Sequence, residues 1–143
     1  MAGIIAVLED DSDRLAAIQA RLCESFPQYK HVPFDNAPDM IDWLRAHLPK
    51  VAAISLDHDL GPNRQRGGEV FDPGTGRDVA DFLATCPPRC PMIIATTNSF
   101  ARPGMELVLH NAGWQTFKVL PSGDLEWIDK GWTAALRTIL RLL

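Results

Sequence analysis

The sequence contains two short acidic runs whose residue types could support metal-dependent chemistry. Residues 9–11 (EDD) follow the apolar run GIIAVL, and residues 57–59 (DHD) follow the apolar run VAAISL. Carboxylates held close together repel one another unless a hard cation lies between them, and Mg²⁺ prefers such oxygen ligands. If the fold brings the two runs together, they predict a Mg²⁺ site with a histidine beside it.

Acidic residues that precede a helix often act only as helix caps and as partners of the helix dipole. That role alone would account for Asp10, Asp11 and Asp13. It does not account for a second acidic pair, with a histidine between its members, at the end of another apolar run. We therefore favour a Mg²⁺ site built from Asp10, Asp11 and Asp57.

The elements that must position these residues follow from the alternation of short apolar runs with amphipathic runs. This alternation is typical of consecutive βα units and a parallel sheet. The predicted strands comprise residues 3–8, 29–34, 51–56, 91–96 and 114–120. The helix caps predicted between them are Asp11 or Ser12 for the first helix, Asn36 for the second and Asp124 for the last.

Five right-handed βα units of this length predict an α/β fold. We expect a three-layer αβα sandwich around a five-stranded parallel sheet of order 2-1-3-4-5, as in flavodoxin-like proteins. Strands 1 and 3 are neighbours in this order, so both acidic runs should lie at the carboxyl edge of the sheet, where such folds bind ligands. The Gly-rich residues 61–76 form a longer connection than most, which indicates a functional or mobile loop.

The composition limits the kind of protein. A chain of 143 residues, 46% hydrophobic and 22% charged, predicts one folded domain over residues 1–143. A net charge of −4 argues against a broad DNA- or RNA-binding surface. No apolar run approaches the roughly 20 residues that span a membrane, and the early acidic residues argue against a signal peptide, so we expect a cytoplasmic protein. The odd number of cysteines predicts free thiols at Cys23, Cys86 and Cys90.

Four regions spread over essentially the whole chain resemble the signature regions of response-regulator receiver domains. They are the run IIAVLEDD, Asp57 in SLDHDLG, the hydroxyl pair Thr96 and Thr97 after the fourth strand, and Leu120-Pro121 after the fifth. The resemblance implies that Asp57 is the position of the phospho-acceptor aspartate. It implies a switch hydroxyl at Thr96 or Thr97.

The resemblance also implies how a metal is held. Asp10 and Asp11 match the acidic metal-binding pair, and Asp59 matches the position whose main-chain carbonyl completes the metal shell. Receivers carry a lysine just before the proline of the fifth strand, where this chain has Leu120. Lys118 is the nearest lysine, and it lies two residues earlier on the same strand face, about 7 Å lower.

Other features are similar to receiver-like domains assigned to cyclic-phosphate processing. They are the sequence DHDLG, a following loop with glycines at 67–68 and 76, and Gly104-Met105 after a short polar segment. That group often has His-Ser and Asn after the fourth strand, where this chain has TTNS at residues 96–99. The similarity implies a Mg²⁺-dependent phosphoesterase that binds or hydrolyses a cyclic phosphate on a nucleotide or an RNA end.

Each candidate residue has a role under this interpretation. His58 is the candidate general acid or base beside Asp57, because an imidazole can both accept and donate a proton; the alternative is that it orients Asp57 or bonds the adjacent loop. The candidate phosphate-binding residues are Thr96, Thr97, Asn98 and Lys118.

Two other functions stay open. A phospho-accepting receiver would take a phosphoryl group from a histidine kinase and act on a signalling partner protein, and the order of the motifs favours it. A non-catalytic pseudo-receiver would bind a partner without chemistry, and Leu120 at the lysine position favours it. Retention of Asp10, Asp11 and Asp57 counts against the pseudo-receiver, and His58 with the long loop leads us to prefer the enzyme.

Overall fold

A central parallel sheet flanked by helices is seen in the computed structural model, which describes residues 3–142. Seven strands lie in this part of the chain: β1 Ile4–Leu8, β2 Lys30–Phe34, β3 Val51–Leu56, β4 Arg64–Arg66, β5 Glu69–Phe71, β6 Met92–Ala95 and β7 Thr116–Val119. The α-helices are α1 Ser12–Ser25, α2 Ala37–His47, α3 Gly76–Ala84, α4 Arg102–Asn111 and α5 Thr133–Arg141. Between residues 3 and 142, none of the helices has the length and apolar character needed to cross a membrane.

The five strands of the main sheet run parallel in the order β2-β1-β3-β6-β7. This confirms the predicted flavodoxin-like order, because β6 and β7 are the fourth and fifth strands of the prediction. Leu8 at the end of β1 pairs with Leu56 at the end of β3. The two acidic runs therefore leave the sheet side by side at its carboxyl edge, as predicted.

Two hydrophobic clusters hold the helices against the two faces of the sheet. On one face the cluster takes residues from α2, α3 and α4, such as Leu44, Leu83 and Leu109. On the other face it takes residues from α1 and α5, such as Leu22 and Ile139. Burying side chains of this size contributes about 1.5–3 kcal/mol each. These layers confirm the predicted three-layer sandwich.

The helix caps come from the residues that the sequence predicted for α1 and α2. Asp11 caps α1 by accepting the backbone N–H of Arg14 at 2.9 Å, and Asn36 caps α2 by accepting that of Asp39 at 2.8 Å. The cysteines are free thiols, also as predicted.

The Gly-rich connection after β3 is ordered as a β-hairpin, which the sequence analysis did not predict. Strands β4 and β5 pair antiparallel around Gly67 and Gly68, whose φ angles of +61° and +83° suit a tight mirror-image turn. Arg64 and Arg66 project from β4 to ion-pair with carboxylates at the end of β2 and the start of α2. The strands are only three residues long and exposed, so they lack the alternating apolar pattern that would have revealed them.

The last helix begins differently from the prediction. Residues Ile128–Trp132 form a turn of π-helix before α5, instead of a regular helix from Asp124. The Thr133 hydroxyl donates to the Ile128 carbonyl at 2.6 Å, five residues back, and the Trp132 indole N–H donates to Ser55 Oγ at 2.9 Å. These two bonds stabilise the wider turn.

Candidate metal and phosphate site at the sheet edge

Three carboxyl groups converge where β1 and β3 end. One oxygen from each of Glu9, Asp10 and Asp57 lies within 4.8 Å of the others, a grouping that could hold a metal ion. Backbone bonds continue the sheet to position them: the Asp57 N–H donates to the Leu8 carbonyl at 3.1 Å, and the Glu9 N–H donates to the Phe34 carbonyl at 2.9 Å. The ends of β1 and β3 therefore determine where these carboxyl groups lie.

Burial makes the charged form of these carboxyl groups unfavourable. The Glu9 side chain belongs to a residue only 3% exposed, and burial, with the charge of Asp57, raises its pKa to about 8. Burial also raises the pKa of Asp57 and of Asp10. The Arg14 guanidinium lowers the pKa of all three groups, but less than burial raises it.

The donor set fits a hard divalent cation. Carboxylate oxygens are the ligands that Mg²⁺ and Mn²⁺ take in proteins, and a cation would relieve the repulsion and burial cost that raise these pKa values. Because Asp10 is exposed while Glu9 and Asp57 are buried, the site opens to solvent on one side. A phosphate oxygen could reach a bound ion from that side.

The structure does not bring the predicted ligand Asp11 into this group. Helix α1 starts at Ser12, which makes Asp11 its cap and commits its carboxylate to the Arg14 N–H. The Asp11 backbone N–H donates instead to Glu9 Oε2 at 3.1 Å. Glu9 takes the place of Asp11, and the signal for it was its position: Glu9 directly follows β1, as Asp57 directly follows β3.

The carboxylate of Asp59, the other predicted ligand position, also lies outside the acidic group. It accepts a 2.7 Å bond from His58 Nδ1 and lies 3.2 Å from Asn98 Nδ2. These bonds, that of His58 first, lower the pKa of Asp59. A metal contact from the Asp59 main-chain carbonyl stays a prediction.

His58, Asp59 and Asn98 thus form a hydrogen-bonded network beside the acidic group. Because the Asp59 carboxylate only accepts, His58 Nδ1 carries the proton in this bond, and in the neutral ring Nε2 is left as the acceptor nitrogen. The His58 side chain is 15% exposed. The backbone N–H of His58 donates to Asp57 Oδ1 at 2.7 Å, which connects the network to the Asp57 carboxylate.

Thr96, the first of the two candidate switch hydroxyls, is the one directed into the site. Thr96 is buried, its side chain hydrogen-bonds Asp57, and its Oγ1 accepts the Asn98 N–H at 3.1 Å. Thr97 is exposed and lies in the bend that follows β6.

The lysine that receivers carry at the end of the fifth strand has no direct counterpart in this sheet. Leu120 is 52% exposed at that position. Lys118 pairs in register with Ile94, which pairs with Leu56, so Lys118 is level with the residue before Asp57 rather than with the site. The charge that acts on Asp57 comes from Arg14 on α1.

A close backbone approach holds α3 against the Asp57-His58 segment. The Gly76 N–H, in the first turn of α3, donates to the His58 carbonyl at 2.9 Å. A Cβ atom on Gly76 would lie 1.9 Å from the Asp57 carbonyl oxygen. Only glycine therefore allows this contact, which positions the backbone of Asp57 and His58.

Comparison with known proteins matches residues 5–111 to the cyclic-phosphate processing receiver domain. Among curated proteins, no match is found. The fold resembles the phosphorylated cyanobacterial phytochrome response regulator RcpA at TM-score 0.75 and 15% identity, covering 100% of this chain and 97% of that one. The Mn²⁺-bound response regulator Rcp1 gives 0.73 and 15%, covering 99% and 96%. A receiver domain from Rhodospirillum rubrum gives 0.64 and 16%, covering 97% and 92%.

Proposed function

The chain belongs to the family of cyclic-phosphate processing receiver domains, and we propose that it binds Mg²⁺ and hydrolyses a cyclic phosphate ester at the carboxyl edge of its sheet. The observation that carries this proposal is the hydrogen-bonded His58-Asp59-Asn98 network beside the carboxyl groups of Glu9 and Asp57. An acid-base residue next to a cation site is what metal-assisted phosphate ester hydrolysis needs.

The acidic group would hold the ion, and the residues after β6 would bind the phosphate. Mg²⁺ bound by Glu9, Asp10 and Asp57 would offset the charge of phosphate oxygens and lower the pKa of a coordinated water. The Thr96 hydroxyl and the Asn98 amide supply uncharged polar contacts beside it. Thr97 and Lys118 stay proposed phosphate contacts, and Lys118 would have to extend its side chain from one residue below the site.

His58 would move the proton in this reaction. With Nδ1–H donated to Asp59, the Nε2 atom is free to take a proton from the attacking water. The water oxygen then bonds to phosphorus, one ring P–O bond breaks, and the leaving oxygen takes the proton that His58 Nε2 has accepted. The products are a phosphate monoester and a free hydroxyl group. In the competing role, His58 only orients Asp57.

The test is ³¹P NMR of the protein with Mg²⁺ and a mixture of 2′,3′-cyclic nucleotides. We expect wild type to convert the cyclic phosphate to monoester. His58→Ala should lower kcat by roughly 10²–10⁴-fold, the usual contribution of a general base, and Asp57→Asn should abolish turnover. His110→Ala is the matched control, because His110 is exposed and bonded to Thr116. Absence of conversion in wild type would overturn the proposal, and full turnover in His58→Ala would remove His58 from its role.

A phospho-accepting receiver is the second candidate function. The observation in its favour is that Asp57 directly follows β3, lies within the acidic group typical of a phospho-acceptor site, and is hydrogen-bonded by Thr96. Leu120 at the lysine position counts against it. Acetyl phosphate with Mg²⁺ should then add one phosphoryl group that intact-mass spectrometry detects in wild type and not in Asp57→Asn. An unmodified wild-type mass would count against this function.

Mg²⁺ binding distinguishes a pseudo-receiver, which only binds a partner, from the two functions that involve chemistry. Under that function we expect little or no Mg²⁺ binding by calorimetry, because nothing would maintain a charged buried site. Tight Mg²⁺ binding that is lost in Asp57→Asn would favour chemistry at the site. The proposed ligand under the enzyme function is a phosphorylated small molecule or an RNA end, and under the receiver function a signalling partner protein.

A further inference from the structure

Phe100 is the most exposed large apolar side chain in residues 3–142. The residue is 96% exposed, whereas the next, Val70, is 68% exposed. Phe100 lies in the connection between β6 and α4, which also carries Thr96 and Asn98. A nearly fully exposed phenyl ring beside a polar site has no role in the two hydrophobic clusters of the fold.

The position of Phe100 is defined by the same side chain that supports the site. Asn98 Oδ1 accepts the backbone N–H of Phe100 at 3.1 Å and that of Ala101 at 2.9 Å. Asn98 Nδ2 lies 3.2 Å from Asp59, which holds His58. A single amide group therefore connects the backbone of Phe100 to the His58-Asp59-Asn98 network, which anchors the Phe100 backbone in the loop beside the site.

The start of α4 secures the rest of this connection. The Arg102 N–H donates to the Asn98 carbonyl at 3.1 Å, and its guanidinium donates to the Thr96 carbonyl at 3.4 Å. These bonds fix the backbone on both sides of Phe100 while its ring stays open to solvent. An exposed aromatic ring on an anchored backbone suits stacking with a ligand, since its face is available.

We propose that Phe100 is a stacking surface for the base of a nucleoside cyclic phosphate. This inference rests on the proposed function and narrows its substrate class from any cyclic phosphate to one that carries a nucleobase. In such a ligand the cyclic phosphate and the base are attached to the same ribose, so one can reach the acidic site while the other reaches its rim. Aromatic stacking accepts every base, because every base has a π face.

The experiment compares hydrolysis of adenosine 2′,3′-cyclic phosphate with that of glycerol 1,2-cyclic phosphate, which has no base. We expect Phe100→Ala to raise KM for the adenosine compound by roughly 5- to 150-fold, with kcat nearly unchanged and both constants unchanged for the glycerol compound. Phe100→Trp should restore the wild-type KM. Leu107→Ala is the matched control, because Leu107 is also exposed, at 62%, on α4, and it should change neither substrate.

Each result decides the matter. Equal effects of Phe100→Ala on both substrates, or none on either, would overturn the stacking role and leave the proposed function standing. If wild type hydrolyses neither compound, the proposed function falls, and calorimetric binding of the adenosine compound decides about Phe100. Weaker binding by Phe100→Ala than by wild type would then support the stacking role, and equal or absent binding would refute it.

Discussion

Substitution of Gly76 by alanine tests whether the backbone of the site is built as the structure shows. A Cβ atom at this position would lie 1.9 Å from the Asp57 carbonyl oxygen, 2.9 Å from the Asp57 carbonyl carbon and 3.0 Å from His58 Cα. All three are backbone atoms, so no side-chain rotation relieves the overlap. Either α3 or the segment after β3 must move, and the segment carries Asp57 and His58.

The cost follows from the contacts that must be lost. Overpacking of this kind costs about 1–3 kcal/mol, and loss of the 2.9 Å bond from the Gly76 N–H to the His58 carbonyl adds about 1 kcal/mol. We therefore expect Gly76→Ala to lower the free energy of unfolding by about 2–4 kcal/mol. For a chain of this size, each kcal/mol lowers Tm by about 3 °C, which gives about 6–12 °C.

The assay is thermal and urea unfolding of metal-free protein in EDTA, followed by circular dichroism. Gly131→Ala is the matched control, because Gly131 also lies in a helix, in the π turn before α5. Its added Cβ would lie 3.6 Å from Val119 Cγ1, an ordinary contact. The control should leave Tm unchanged or raise it, because alanine favours helix by up to about 1 kcal/mol over glycine.

An unchanged Tm for Gly76→Ala would refute the reasoning, since it would mean that α3 does not contact the Asp57 carbonyl. Equal losses in both variants would also refute it, because the effect would then belong to any helical glycine. We further expect Gly76→Ala to weaken Mg²⁺ binding, measured by calorimetry below the unfolding transition, because displacement of Asp57 separates the carboxyl groups.

Three more predictions concern charge, the hairpin and the core. Burial raises the pKa of Glu9 from 4.5 to about 8, so between these pH values the folded state holds a proton that the unfolded state releases. Metal-free protein should therefore lose several kcal/mol of stability as pH rises from about 4.5 to 8. Urea unfolding of Glu9→Gln should show a flatter dependence of stability on pH. Arg64→Ala with Arg66→Ala should speed proteolysis within the hairpin while changing the free energy of unfolding by about 1 kcal/mol or less, because exposed ion pairs contribute little. Unchanged cleavage would show that the ion pairs of Arg64 and Arg66 do not hold the hairpin in place. Trp132→Phe should cost about 1–3 kcal/mol in urea unfolding because it leaves the buried Ser55 hydroxyl without its partner, and a cost near zero would show that the bond adds nothing.

The fold could be predicted because its determinants are local and repeated. Each apolar run long enough for a strand is followed by an amphipathic segment, and right-handed crossovers leave few sheet orders open. Asp11 and Asn36 could be recognised as caps because cap chemistry depends on a few consecutive residues. The hairpin and the π turn could not, because they depend on distant partners: carboxylates near α2 for the arginines of β4, and Ser55 for Trp132.

By itself the sequence determined that two acidic runs meet at one edge of a parallel sheet, because strand order places the ends of β1 and β3 side by side. Only the tertiary structure decided which carboxyl groups face each other there. Helix α1 starts at Ser12 and turns Asp11 into a cap, so Glu9 joins Asp10 and Asp57 instead. A one-residue choice of this kind depends on where the strand ends and the helix begins, and those points are set by packing and capping in three dimensions.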